Sequence, residues 1–116
     1  MLDPRVTLKK NSDFHRLYTR GKSAVGPSMV VYCRRNRLGG SRFGYTVSGK
    51  LGHAVVRNRV RRRLREIVRL NAARLVPGFD VVVVARGRAV DSSYRKLEED
   101  FLRACKRLGM LREHTE

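Results

Sequence analysis

The sequence predicts an α+β domain with its elements in the order α-β-β-β-α-β-α and about four strands in a central sheet. Three observations predict it. β-rich runs fill residues 22–48, a continuous apolar run D-V-V-V-V-A fills 80–85, and three segments carry helical periodicity. At 116 residues, one domain is expected, with a basic arm at 1–10 and a loose tail at 110–116.

The first helix is expected over 13–20, capped by Asn11 or Ser12, with Asp13 in the first turn and Gly21 as the stop. Phe14, Leu17 and Tyr18 stand at i, i+3 and i+4 and share one face. A short strand is expected over 22–26, before Pro27. A second, over 29–35, contains Val30, Val31 and Tyr32. Residues 42–48 alternate Phe43, Tyr45 and Val47 with Arg42, Gly44 and Thr46, the pattern of a half-buried strand. The second and third runs are expected to pair as an antiparallel hairpin around Gly39-Gly40. The long helix follows over 54–75 and stops at Pro77-Gly78. The 80–85 run reads as the strand central in the sheet or buried on both faces. Asp91, Ser92 or Ser93 caps a last helix over 94–108, closed by Gly109. Its stripe of Leu97, Phe101, Ala104, Cys105 and Leu108 packs on the sheet.

The long helix decides the function class. Seven of the thirteen residues from Arg57 to Arg69 are arginine, and Glu66 is the only acid among them. At about 100° per residue, Val56, Val60, Leu64, Ile67 and Val68 fall on one side. Asn58, Arg61, Arg62, Arg65 and Arg69 crowd the other, with Arg59 and Arg63 at its edge. A solvated face would interleave Glu with Arg. This one stacks like charges, so an external polyanion is expected to neutralise them. The whole chain carries a formal charge of +17, with no Asp or Glu between Phe14 and Arg65. Nucleic acid is the partner this balance favours.

Other chemistries lack their residues. Glu98, Glu99 and Asp100 are consecutive and diverge around a helix; Asp13 and Asp80 are isolated; Glu66 has Arg62 at i−4 as a partner. His15, His53 and His114 show no metal-ligand spacing. Cys33 and Cys105 form no C-x-x-C and read as buried or half-buried thiols. The longest apolar run is too short for a bilayer and no apolar leader opens the chain, so a cytoplasmic protein without a membrane partner is expected. A binder, not a catalyst, follows. Arginine grips phosphate with a planar fork and stacks on bases, and the N-terminus of a helix adds N–H groups to the same spot. Phe14, Tyr18 and Tyr32 offer stacking surfaces where they open onto the sheet, the pattern for single-stranded nucleic acid.

The stretch A54-x-x-R57-N58-R59-V60-R61-R62-x-x-R65 resembles the arginine-asparagine-arginine signature of the protein subunit of bacterial ribonuclease P. L-K-K-N-S-D-F ending at Phe14, V-V-Y ending at Tyr32, F-G-Y-T-V-S-G-K-L-G over 43–52 and D-V-V-V-V-A-R over 80–86 agree with that family in order and spacing. The resemblance implies an α/β sandwich like a domain of a small-subunit ribosomal protein, with a left-handed βαβ crossover through the arginine helix. It implies a ribonucleoprotein whose RNA subunit, using Mg²⁺, hydrolyses the phosphodiester joining the 5′ leader of precursor tRNA to the mature 5′ end. The partners implied are ribonuclease P RNA and precursor tRNA, with no obligate protein partner. Carried onto this chain, Arg57, Asn58, Arg59, Arg61, Arg62 and Arg65 would face the RNA subunit and help metal ions bind there. Phe14, Tyr18, Tyr32, Ser48 and Lys50 would line the leader cleft. Gly49 departs from the pattern, since many members carry two lysines before that turn. The alternative reading is a ribosomal-type protein that binds structured RNA with no part in processing.

Overall fold

A computed structural model describes Thr7, Leu8 and residues 10–112. The elements are α1 (Asn11–Arg20), β1 (Lys22–Val25), β2 (Met29–Arg35), β3 (Arg42–Thr46), α2 (Ala54–Asn71), β4 (Phe79–Ala85) and α3 (Tyr94–Arg107). The predicted order holds, and the four strands form one sheet, in the order β1-β2-β4-β3.

That order overturns the expected hairpin between the second and third runs. β2 pairs antiparallel with β1 and with β4, and β3 pairs with β4 in parallel. The tight turn is the one between β1 and β2, closed by Gly26 N–H donating to Met29 O at 2.8 Å. β4 takes the place between β2 and β3 because it is the most apolar strand. Only an interior position pairs both its edges and lets both its faces be covered. Val81, Val83 and Ala85 face a core shared with Met29, Val31, Phe43, Val60, Leu64, Ile67 and Phe101, supplied by α2 and α3. Val82 faces the other way, onto a smaller cluster with Leu8 and Leu17 under α1.

Several ends differ from expectation. α1 begins at Asn11 after Lys10, which supplies no side-chain cap, so neither Asn11 nor Ser12 caps it. Gly21 ends α1 with φ −80°, outside the left-handed region. Its value is size: a Cβ there would sit 2.6 Å from Leu17 O and 2.9 Å from Cys33 O, so glycine lets the turn lie against β2. α2 stops at Asn71 and tightens into a 3-10 turn over Ala72–Arg74. α3 starts as predicted at Ser93, whose Oγ accepts from Lys96 N–H at 3.1 Å. It ends in paired bonds from Gly109 N–H to Lys106 O and Met110 N–H to Cys105 O, with Gly109 at φ 74°.

The described parts of the expected arm and tail are tied to the fold. Thr7 bridges Phe43 in parallel and Leu8 N–H donates to Phe43 O at 2.9 Å, so this part of the arm extends β3 outward. Residues 110–112 are not loose: Met110 is buried, Leu111 bridges Leu75, and Arg112 N–H donates to Arg74 O at 2.7 Å. The remainder of the expected arm and tail, residues 1–6, 9 and 113–116, lies outside the described residues.

Polar side chains lock the layers. Asp80 accepts from Arg42 through both oxygens, at 2.9 and 2.6 Å, and from Asn36 Nδ2 at 2.9 Å, which pins the 36–41 loop to β3 and β4. Asp100 is buried on α3, where its carboxylate accepts from Ser28 Oγ at 2.6 Å and meets Lys96 Nζ at 3.0 Å. Burial opposes the charge on Asp100, but Ser28, Lys96 and Arg103 together hold its carboxyl below the usual range. Its folded value being below the unfolded one, near 3.9, ionised Asp100 adds stability above about pH 4 that is lost as pH falls. Asp100→Asn is expected to cost about 2 kcal/mol at pH 7 by urea unfolding, with the gap from the parent narrowing toward pH 3. A gap that stays constant with pH would contradict this.

Candidate nucleic-acid interface

α2 divides its two faces as its periodicity predicts. Val60, Leu64, Ile67 and Val68 are buried, while Asn58, Arg59, Arg62 and Arg65 are exposed, and Arg57 and Arg61 are half-buried. The arginines are not equivalent. Arg57 Nε donates to Gly52 O at 3.2 Å and Arg61 Nη1 to Asn58 Oδ1 at 3.3 Å. Arg65 lies over the Tyr45 ring, 5.9 Å from its centroid, a cation–π contact that steadies the guanidinium while leaving its edge free. Arg59 and Arg62 make no side-chain hydrogen bond or ion pair among the described residues. Two further arginines are engaged within the chain: Arg63 donates to Ser92 O at 3.3 Å, and Arg69 forks onto Glu66. Glu66 is therefore satisfied by Arg69 at i+3, not by Arg62. Both positions neighbour Glu66 on the helix surface, and the i+3 arginine is the one that makes the contact.

The N-terminus of α2 carries no acid in its first turn and no side-chain cap, so its N–H groups keep their full positive end. It is delivered by a 3-10 turn over Gly49–Leu51, capped by Ser48, whose Oγ accepts from Lys50 N–H at 3.2 Å. Ser48 and Lys50 are exposed there. Gly52 has φ 146°, and a Cβ on it would meet the Val56 side chain at 3.1 Å. Glycine is thus required for the chain to fold back into the helix.

On the other face of the sheet, Phe14, Tyr18 and Tyr32 come together. Tyr18 meets Phe14 edge-on at 6.4 Å and Tyr32 at 5.0 Å between ring centroids. Tyr18 is 41% exposed, and its hydroxyl shares a 2.9 Å hydrogen bond with Thr46 Oγ1. A cavity of about 430 Å³ opens beside Phe14 and Tyr18, with Leu8, Asn11 and His15. Tyr32 joins through the Tyr18 ring. Ser48 and Lys50 do not line that cavity; they follow Thr46 in the turn toward α2. The structure thus brings the three aromatics into one cluster and places the two turn residues at its β3 end.

Three residues matter here that sequence reasoning passed over. Thr46 orients Tyr18, Tyr45 backs Arg65, and Gly44 makes room for Phe14. The alternation in β3 carried the signal for all three, since Gly44 and Thr46 share one face and Tyr45 takes the other. Among the described residues, no group of three or more His, Cys, Asp or Glu is placed to hold a metal ion.

Residues 2–109 match the Ribonuclease P family. The chain belongs to the ribonuclease P protein family. It is 38% identical over 110 residues to the ribonuclease P protein component of Natranaerobius thermophilus, covering 95% of this chain and 96% of that one. It is 44% identical over 93 residues to the component from a Thermoanaerobacter species, 80% of each chain. Among solved structures, the ribonuclease P protein of Staphylococcus aureus superposes with a TM-score of 0.84 at 32% identity, over 91% of this chain and 97% of that one. The protein from Thermotoga maritima gives 0.78 at 33% identity, over 85% and 94%.

Within this ribonuclease P protein fold, the fit of Phe14 against β3 is open to test. A Cβ at Gly44 would stand 2.7 Å from Phe14 Cζ and 3.3 Å from Leu8 Cβ. Gly44→Ala is expected to push the ring outward and destabilise the domain by about 1–3 kcal/mol. Thermal unfolding and the Phe14 ring resonances read the two effects; an unchanged melting point with unshifted resonances would refute the close fit.

Proposed function

We propose that the chain acts as the protein subunit of ribonuclease P, binding the RNA subunit and precursor tRNA so that the RNA removes the 5′ leader. The observation that supports this most is the arginine face of α2, with no acid in its first turn and an uncapped N-terminus, on a sheet whose other face carries a partly exposed aromatic cluster. Arg57, Asn58, Arg59, Arg61, Arg62 and Arg65 contact the RNA subunit. Phe14, Tyr18 and Tyr32, with Ser48 and Lys50 at their edge, hold the single-stranded leader by stacking and by phosphate contacts. The whole chain works as one RNA-binding domain, in the cytoplasm.

The chemistry follows from what the residues supply. Bringing a leader against a folded RNA crowds phosphates, and the guanidinium groups of α2 lower that repulsion where RNA and leader converge. Mg²⁺ supplies the Lewis acid and the activated water when bound. As the family resemblance implies, it would be held mainly by the RNA subunit. The protein's part is positioning and charge.

The test is cleavage of a precursor tRNA at low Mg²⁺ by a bacterial ribonuclease P RNA, with and without this protein. Correct 5′ cleavage requiring both supports the reading. Tight RNA binding with no gain in cleavage would favour a general structured-RNA protein, and cleavage by the protein alone would overturn it. Arg57→Ala with Arg59→Ala is expected to keep the circular dichroism spectrum, weaken RNA binding roughly tenfold, and lower the slope of log K against log salt by about two. An unfolded double variant would show these side chains to be structural.

A further inference from the structure

A second cavity, this one basic, is lined by residues of neither the signature helix nor the aromatic cluster. Its volume is about 330 Å³, and its lining combines Arg20, Lys22, Arg34 and Arg35 with Phe79 and Leu108. No lining residue is acidic, and none of the four cations forms an ion pair with the described residues. Cys33 completes the wall; burial pushes its thiol pKa up, so this wall is neutral at pH 7. Arg35 Cζ stands 5.3 Å from the centroid of the Phe79 ring. A guanidinium held over a ring keeps its donor edge for phosphate. Four unmatched cations around an apolar, partly aromatic wall suit an unpaired nucleotide, with its base on the wall and its phosphates on the rim.

The position of the cavity selects the strand. Arg35 pairs with Phe79 at the C-terminal end of β2 and the N-terminal end of β4. β3 runs parallel to β4, so Ser48, Lys50 and the start of α2 lie at the opposite end of the sheet. Between the two ends sits the aromatic cluster. Arg34 follows Tyr32 by two residues on the same face of β2, about 7 Å along the strand. Arg20 follows Tyr18 by two residues on α1. A strand that leaves the cleavage site near α2 and crosses the aromatics on the α1 face therefore reaches Arg34 and Arg20 first, at the rim, and turns round this end of the sheet to meet Cys33, Phe79 and Leu108, which pack on the α2 and α3 side.

We propose that the cavity between Arg20, Lys22, Arg34 and Phe79 binds the precursor-tRNA leader upstream of the nucleotides held by Phe14, Tyr18 and Tyr32. This rests on the proposed function. The experiment uses reconstituted holoenzyme and two precursor tRNAs, one with a leader that only spans the aromatic cluster and one several nucleotides longer. Parent protein is expected to bind the longer substrate more tightly. In Lys22→Ala with Arg34→Ala, the long-leader affinity is expected to fall roughly tenfold and its salt slope by about two, while short-leader binding and cleavage stay at parent values.

A 4-thiouridine placed in the extra leader segment is expected to crosslink to the peptide containing Phe79 in the parent protein, a readout that needs no variant. Equal losses on both leaders would assign the cations to another RNA or to folding. No loss on either, or crosslinks only to the α1 aromatics, would also overturn the proposal. If the parent protein fails to promote cleavage of either substrate, it is the subunit reading that fails, and the two failures are thereby distinct.

Discussion

The structure depends on the burial of β4 on both faces. A strand of four consecutive valines cannot leave either side in water, and its interior place in the sheet demands a cover above and below. α2 and α3 cover one face and α1 covers the other. That requirement forces α1, otherwise a short and marginal helix, to lie across the sheet with Leu17 inward. Once Leu17 is committed, Phe14 and Tyr18 follow at the flank, half-covered and in contact with the strands. The aromatic cluster is a by-product of closing the second face.

The same division of labour explains α2. Its stripe of Val60, Leu64, Ile67 and Val68 provides the packing energy that keeps the helix folded, and the arginines contribute repulsion. The protein meets this cost in small ways within the chain. Arg65 rests on Tyr45, Arg61 on Asn58, and Arg69 on Glu66. Those contacts hold side chains in place without neutralising the face, since only Glu66 carries a negative charge. A polyanion completes what the fold leaves open.

Much of this was readable from the sequence because it rests on periodicity and composition. The helices, the strands and the outward arginine arc follow from spacing along the chain, and the valine run declared its central place. Pairing was not readable. The loop at 36–41 looks like a hairpin turn, yet Asn36, Ser41 and Asp80 use it to anchor the entry of β4 between β2 and β3. Which strand lies beside which is settled by competition for the interior place, and no local pattern records that. Gly44 and Gly21 belong to the same class: their necessity lies in a Phe14 ring and a Cys33 carbonyl that are remote in sequence. The family resemblance supplied Ser48 and Lys50, which composition alone would not single out.

The strand order also sets a timetable. β2 and β3 have no common partner until residues 79–85 exist, because the strand that joins them comes after the arginine helix in the chain. During synthesis, the entire cationic half of the protein therefore leaves the ribosome before the core that will hold it can close. Contacts between segments this far apart form slowly, and an open, strongly basic chain surrounded by RNA attracts it without selection. With the keystone strand placed late, the sheet that carries α1 and α2 can close only when β4 slots home.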